Sequence, residues 1–529
     1  MLPRLIILSI FSGLCLFLSW PPNSGAITFL IFIGFVPLFI IEDNIEKKNI
    51  SYAQYFCLTY LAFFIFNILT TFWISNAHIA GAIFAILCNS LFMAIVFFMF
   101  SKMKNIFKSS QSPIILLILW LSFEYLHLNW DLSWPWLTLG NVFASHPEWI
   151  QWYSITGVLG GSCWILVINI LIFRLYLRVL CKKNLVQNII LILLMLFAPL
   201  LISIKTYNNY NVNLETQRDI DYEINVLVVQ PNINPYTEKF LIPQEEQLDS
   251  LIVLIEPFLN RHLDYIVLPE TFLVAPVWEH LFFNNSSVKR LNTIANKFNF
   301  NIVMGATTLG FSEKTPTAKA ISSHNNSWYQ VYNSAIFLDG STNLYAYHKS
   351  KLVPGAEQMP FQHTLYPILG NRILNIGDAT SIGNFSKQDS VSVFDSNIAS
   401  VICYESIYGE YVTEFIKKGA QVIFIITNDG WWKETSGFKQ HSMYAVLRAI
   451  ETRRYIARSA NTGVSSVINP SGKIINRIEW DKKGVINANI RFSEIITFYT
   501  KHGDYLGRVS SFLSCLFLLY FIVVNKLRF

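Results

Sequence analysis

The chain has 529 residues, of which 53% are hydrophobic and 14% charged, with 42 phenylalanines. That length exceeds what a single hydrophobic core sustains, and that apolar content excludes a wholly water-soluble protein. The formal net charge of +6 falls mostly in short basic connections between apolar runs, which speaks for membrane topology and against nucleic-acid binding.

Apolar runs of 18 or more residues have the length that crosses a hydrocarbon core. Eight spans of about this length are expected, near 3–20, 25–42, 53–75, 79–100, 113–129, 158–180, 186–204 and 507–525. The first resembles a signal peptide in position, but its apolar core is long and no small-x-small cleavage site follows, so it is read as a retained span. The fifth contains Glu124 and His127. Ionisable residues at that depth suggest a polar pathway, while a place near the outer end of the span would simply let them reach the interface; both readings stay open.

Basic residues cluster in alternate connections: Lys47 and Lys48; Lys102, Lys104 and Lys108; Arg174, Arg178, Lys182 and Lys183; and Lys526 with Arg528 at the C-terminus. The connections 20–24, 76–78 and 130–157 have no lysine or arginine. By the positive-inside rule both termini are expected in the cytoplasm and the long stretch 205–506 outside. The expected division is a transmembrane domain of seven spans at 1–204, an outer domain at 205–506, and an eighth span with its tail at 507–529.

From about Tyr207 the composition turns polar, with short β-branched runs at Asn225–Val229, Tyr265–Leu268, Ile302–Met304, Ala335–Leu338, Ser400–Cys403 and Gln421–Thr427. Helical patterns fall between them at Glu245–Pro257, Val288–Lys297, Ile407–Lys418 and across Gln440–Ser459. Strands alternating with helices predict an α/β sheet domain. The stretches 311–328 and 368–392 read as surface excursions.

Cys403 is the one cysteine of this outer stretch; the others, at 15, 57, 88, 163, 181 and 515, lie in or beside apolar runs. A lone thiol is either an idle buried hydrophobe or a nucleophile. Three strings place reactive groups just past strand ends, where loops aim side chains into a cleft. Tyr265-Ile-Val-Leu-Pro-Glu270 offers a carboxylate, Tyr347-His-Lys349-Ser-Lys351-Leu-Val-Pro-Gly-Ala-Glu357 offers lysines and a glutamate, and Ser400-Val-Ile-Cys403-Tyr404-Glu405 offers the thiol. A carboxylate can take the thiol proton and an ammonium can stabilise the oxyanion of acyl transfer. Taken singly, each is as readily a solvated loop residue. The histidines show no paired spacing of the kind that holds zinc, so neither a metal nor another cofactor is expected.

The order Glu270, Lys349, Cys403 resembles the Glu-Lys-Cys triad of the nitrilase superfamily, and with the apolar runs the chain resembles the apolipoprotein N-acyltransferases. Other strings that carry the resemblance are Trp20-Pro21-Pro22, Pro135-Trp-Leu-Thr-Leu-Gly140, Val229-Gln-Pro-Asn-Ile233, Tyr332-Asn333-Ser334-Ala335, Thr427-Asn-Asp-Gly-Trp-Trp432, Arg448-Ala-Ile-Glu451 and Arg458-Ser-Ala-Asn-Thr-Gly-Val-Ser465. It implies an eight-span helical bundle carrying a nitrilase-like αββα sandwich. Glu270 would be the general base, Cys403 the nucleophile and Lys349, eight residues before Glu357, the catalytic lysine in preference to Lys351. Glu357, Tyr404 and Glu405 would support the site, and Phe240, Asn333, Trp431 and Trp432 are candidate substrate contacts. Phe240 stands where the family commonly has a tryptophan.

The resemblance further implies a ping-pong reaction at the outer face of a bacterial inner membrane. A phospholipid donates its acyl chain to Cys403, and the N-terminal amine of a diacylglyceryl-cysteine on an apolipoprotein accepts it. No partner subunit is implied, so a monomer is expected. A membrane-tethered amidase, an acyltransferase with another acceptor, and a transporter with an outer receptor domain are the competing readings.

Overall fold

The computed structural model describes residues 2–47, 49–104, 112–216, 223–313, 319–320, 328–361, 364, 385–388 and 390–527. They form two compact units, one of Met1–Ser75, Ile79–Asn213 and His502–Phe529, the other of Asn76–His78 and Leu214–Lys501.

The first unit is helical: α1 (Leu2–Ser19), α2 (Val36–Glu46), α3 (Tyr52–Thr71), α4 (Ile79–Lys104), α5 (Ser112–Leu128), α6 (Tyr153–Leu180), α7 (Val186–Thr216) and a C-terminal helix, Tyr505–Leu527. Seven segments among the described residues are long and apolar enough to cross a membrane, so this is a multi-pass membrane protein. The expected run at 113–129 forms the shorter apolar helix α5. Phe35, Phe63, Phe97 and Trp120 form a buried aromatic cluster of this unit, Phe35 stacking on Phe97 at 5.7 Å and meeting Trp120 edge-on at 5.3 Å.

The second span is not one α-helix. A 3₁₀ segment, Gly25–Phe32, breaks before α2, which strands backbone groups where water is scarce. Asn169 of α6 satisfies them, its Oδ1 accepting from the Phe35 amide at 2.9 Å and its Nδ2 donating to the Ile31 carbonyl at 2.9 Å. Glu124 also has a local task, accepting from the Leu139 amide at 2.8 Å and Trp120 Nε1 at 2.9 Å. It thereby holds the turn that contains Pro135–Leu137.

The second unit contains two sheets. The larger, of eight strands, runs β14 (Gly484–Arg491), β1 (Glu223–Gln230), β2 (Tyr265–Val267), β4 (Asn301–Ser312), β6 (Trp328–Leu338), β5 (Lys319–Ala320), with β3 (Leu273–Trp278) on β4 and β7 (Tyr345–His348) on β6. The other, of six strands, runs β13 (Ile474–Ile478), β12 (Ser465–Ile468), β11 (Ile456–Ala460), β10 (Val422–Thr427), β9 (Ile398–Ile402), β8 (Val393–Phe394). Leu248, Leu251 and Ile255 of α8 (Gln244–Ile255) and Val288, Leu291 and Ala295 of α9 (Ser286–Phe298) pack with the larger sheet in one core. Helices α10 (Gly409–Lys417) and α11 (Ser436–Thr452) pack against the smaller sheet. The sheets face each other, as Ser459 Oγ donating to the Val229 carbonyl at 2.7 Å and Tyr265 lying 5.6 Å from Phe424 illustrate. The result is the αββα sandwich.

The helix read across Gln440–Ser459 ends instead at Thr452. Arg453 turns the chain with φ of 55° and Ile456–Ala460 joins β10 in parallel pairing. No glycine or proline marks that stop. It is set by the buried Arg454 guanidinium, which donates to the Ala420 and Ile495 carbonyls. The expected helix at Ile407 starts at Gly409, because Cys403–Ile407 is a 3₁₀ turn. Of the two predicted excursions, 314–318, 321–327, 368–384 and 389 lie outside the described residues.

Candidate active site

Strands β2, β6 and β7 deliver Glu270, Asn333 and Lys349 to one hydrogen-bonded cluster, and β9 ends at Cys403 within electrostatic reach of it. Glu270 follows β2 where β4 passes so closely that a Cβ on Gly305 would lie 2.3 Å from the Thr271 amide nitrogen and 2.6 Å from Glu270 Cα. Only glycine allows that approach. Asn333 lies within β6, and Lys349, directly after β7, is locked to it by its amide donating to the Asn333 carbonyl at 2.8 Å.

Lys349 Nζ donates to Glu270 Oε1 at 3.1 Å and to Glu357 Oε1 at 2.8 Å. Asn333 Nδ2 donates to the same two oxygens, at 2.8 and 3.1 Å. Its amide is therefore engaged with carboxylates. Glu357 Oε2 accepts from the Val353 amide at 2.8 Å, which closes the turn that carries both Lys349 and Glu357. Lys351 goes elsewhere, its ammonium lying over the rings of Tyr408 and Tyr411.

Cys403 ends β9 in the left-handed region, with φ of 48°, and opens the 3₁₀ turn. A non-glycine residue adopts that geometry only where surroundings impose it. Two sets of contacts do. Glu405, fully buried, accepts from the Ile402 amide at 2.9 Å through Oε2, and through Oε1 from the Ser350 amide at 2.7 Å and the Tyr347 hydroxyl at 2.6 Å. On the other side lies a buried network of His441, Asp429 and Arg458. His441 Nε2 sits 3.2 Å from the Cys403 carbonyl oxygen, its Nδ1 2.8 Å from Asp429 Oδ1, and Arg458 donates to Asp429 Oδ2 at 2.8 Å. Tyr404 is buried and stands edge-on to Tyr408.

Burial pushes the Cys403 thiol well above its ordinary range, Glu270 adds to the rise, and Lys349 opposes it. Burial also acts to raise the Glu270 carboxyl, but Lys349, Asn333 and Lys239 together hold it below the usual carboxylate value. Burial disfavours the Lys349 ammonium, yet Glu270, Glu357 and Cys403 hold it well above the usual lysine value. At rest the site therefore holds a thiol beside a carboxylate, with the lysine charged.

Trp431 stacks on Phe240 at 6.1 Å and meets Tyr236 edge-on at 5.5 Å. Phe240 is 39% exposed and the neighbouring Leu241 76%, so this is an open aromatic patch. Trp432 turns the other way, edge-on to His441 at 5.3 Å. Three features are not marked in the sequence. His441 stands in no paired spacing, Asp429 and Arg458 fall in two separate strings, and Lys239 is one lysine of a polar connection. Among the described residues no group of side chains is arranged to hold a metal ion.

Residues 226–499 match the model of the carbon-nitrogen hydrolase family, and residues 12–171 match that of the apolipoprotein N-acyltransferase N-terminal domain. Among similar proteins, the apolipoprotein N-acyltransferase of Chlorobaculum tepidum is 27% identical, over 96% of this chain and 95% of its own. That of Thermotoga maritima is 24% identical, over 96% and 92%. A solved amidase from Nesterenkonia sp. aligns with 54% of this chain and 96% of its own, at 15% identity and a TM-score of 0.36. The chain belongs to the carbon-nitrogen hydrolase family, and carries ahead of that domain the N-terminal domain of the apolipoprotein N-acyltransferases.

Proposed function

We propose that the protein is an apolipoprotein N-acyltransferase that works through a thioester on Cys403. The observation that carries the reading is the meeting of Glu270, Lys349 and Glu357 in one hydrogen-bonded cluster, within electrostatic reach of Cys403, in a chain with seven segments of membrane length among the described residues. A soluble amidase needs the first feature but not the second. Relatives matched over nearly the whole chain support the same reading.

In the first half-reaction the Cys403 proton passes to Glu270 as sulfur attacks the ester carbonyl of a phospholipid. Lys349 stabilises the oxyanion. The carbon–oxygen bond breaks, the leaving alkoxide recovers the proton from Glu270, and a lysophospholipid departs. In the second, the α-amine of a diacylglyceryl-cysteine attacks the thioester, loses a proton to Glu270, and the thiolate is expelled and reprotonated. Glu357, Tyr404 and Glu405 position these groups, and Phe240 and Trp431 contact the acyl chains, since aromatic rings favour the lipid interface.

Both substrates are anchored in one leaflet, which is the physical reason for mounting a hydrolase-like domain on a membrane bundle. The distribution of lysine and arginine supports a periplasmic catalytic domain, an inner-membrane location and cytoplasmic termini, and no second subunit is needed for the site. Incubation of purified protein with phospholipid should leave an acyl adduct on the Cys403 peptide, discharged by a diacylated lipopeptide. Absence of the adduct, or hydrolysis of short amides in preference to acyl transfer, would refute the reading.

A further inference from the structure

We infer that Lys239 is a second cation of the catalytic charge cluster, a positioning residue that holds Glu270 by its main chain and sets the charge against which Glu270 and Cys403 exchange a proton; this rests on the reading of Glu270 as the base for Cys403. Lys239 lies in the connection from β1 to α8. That connection is tied down at both ends, by the Asn232 amide donating to the Asn461 carbonyl at 2.9 Å and by Gln247 Nε2 donating to the Lys239 carbonyl at 2.8 Å. Lys239 is only 3% exposed, and its Nζ donates to the backbone carbonyl of Glu270 at 3.0 Å.

A buried ammonium held by one neutral oxygen is costly unless nearby anions compensate it. Among the described residues no carboxylate forms a direct ion pair with Lys239; the titratable groups it senses are Glu270, a carboxylate at rest, and Cys403, which becomes an anion during the reaction. The count of charges around the site explains its presence. Two carboxylates, Glu270 and Glu357, share the single ammonium of Lys349. That arrangement alone would bury a net negative charge next to a thiol that must itself become an anion. Lys239 supplies the missing positive charge. When the thiol proton moves to Glu270, the negative charge moves from carboxylate to sulfur and then to the oxyanion, so the total around the two lysines stays balanced throughout.

The groups facing Glu270 are Lys349, Lys239, Cys403 and, through Lys349 and Asn333, Glu357. Those facing Lys239 are Glu270 and Cys403, and those facing Cys403 are Glu270, Lys349, Lys239 and Asp429, the last paired with Arg458. Burial lowers the Lys239 ammonium to about 8 even against the opposing pull of Glu270 and of the Cys403 sulfur, so it remains mainly charged at neutral pH.

The test uses the full chain in phospholipid–detergent micelles, with Lys239→Met removing the charge and Lys239→Arg keeping it. Two profiles are read between acid and alkaline pH: acyl transfer to a diacylated lipopeptide, and alkylation of Cys403 by iodoacetamide followed by intact mass. In Lys239→Met the acid limb of kcat/KM should move up by about one pH unit, and the alkylation inflection should also move up, since both anionic forms lose a stabilising cation. The rate should fall about 10- to 100-fold with KM for phospholipid little changed, and Lys239→Arg should return both profiles toward the wild type. Unshifted profiles in Lys239→Met, whatever the loss of rate, would mean a merely structural lysine and overturn the inference. If Lys239→Met fails to melt cooperatively, Lys239→Gln against Lys239→Arg gives the same comparison. Should wild-type Cys403 form no thioester, the function reading fails, while the alkylation profile still reports whether Lys239 couples to the thiol.

Discussion

Glu405 Oε1 accepts the backbone amide of Ser350 at 2.7 Å, while its other oxygen accepts the amide of Ile402, one residue before the nucleophile. One carboxylate thus joins the turn that carries Cys403 to the turn that carries Lys349. Glu405→Ala should cut acyl transfer about 100-fold by loosening that spacing, and Glu405→Gln, which keeps one acceptor oxygen, should cut it less. Steady-state rates of both variants check the order; equal rates for the three proteins would show that the bridge is idle.

Glu270→Gln separates the role of base from the role of neighbour. Acyl transfer should be lost by about 100-fold or more, because nothing accepts the thiol proton. The sign at the thiol is opposite. An anion disfavours thiolate, so replacing Glu270 by a neutral group should lower the pH at which Cys403 alkylates. A slower alkylation at neutral pH in the variant would contradict this.

Gly305 is the close-approach point behind Glu270, where a Cβ would meet backbone and not the flexible end of a side chain. Gly305→Ala should therefore displace Glu270 and cost activity about 100-fold, since small misplacements at a reacting centre have effects of that size. Activity within a factor of three of wild type would show that β4 can shift without moving the base.

Asp429 is fully buried between His441 and Arg458. Asp429→Asn leaves Arg458 with an uncompensated buried charge, and destabilisation of about 3–5 kcal/mol is expected. Burial acts to raise the Asp429 carboxyl, but Arg458 and His441 hold it below its usual value. The stability it contributes is therefore full above the unfolded carboxylate range and is lost as pH falls through the depressed native value. Chemical denaturation of wild type and variant at neutral and acid pH should converge at the acid end.

The aromatic patch predicts a split by substrate. Phe240→Ala should raise KM for long-chain phospholipid several-fold, about 1 kcal/mol for a partly exposed ring, while leaving transfer from a short-chain ester nearly unchanged. A uniform loss on both donors would assign Phe240 to loop packing instead.

Much of this was legible in the chain. Apolar runs of membrane length, a polar α/β stretch between them, the solitary Cys403, and carboxylate and lysine placed after short strands are local patterns, and local patterns survive in one dimension. The end of α11 at Thr452 and the broken second span were not legible. Their causes are Arg454 reaching Ala420 and Ile495, and Asn169 capping a break more than a hundred residues away. The site divides in the same way. Residue type and placement mark Glu270, Lys349 and Cys403 as chemically apt only as a set, because thiol, carboxylate and ammonium together suffice for acyl transfer while each alone is an ordinary loop residue. Which lysine faces the carboxylates, that Asn333 bridges them, that His441 lies beneath the Cys403 carbonyl, and that Lys239 is buried beside Glu270 all depend on chain crossings. Burial turns an ordinary loop lysine into a compensating charge, and burial is a property of the folded sheets, which no short string of residues contains.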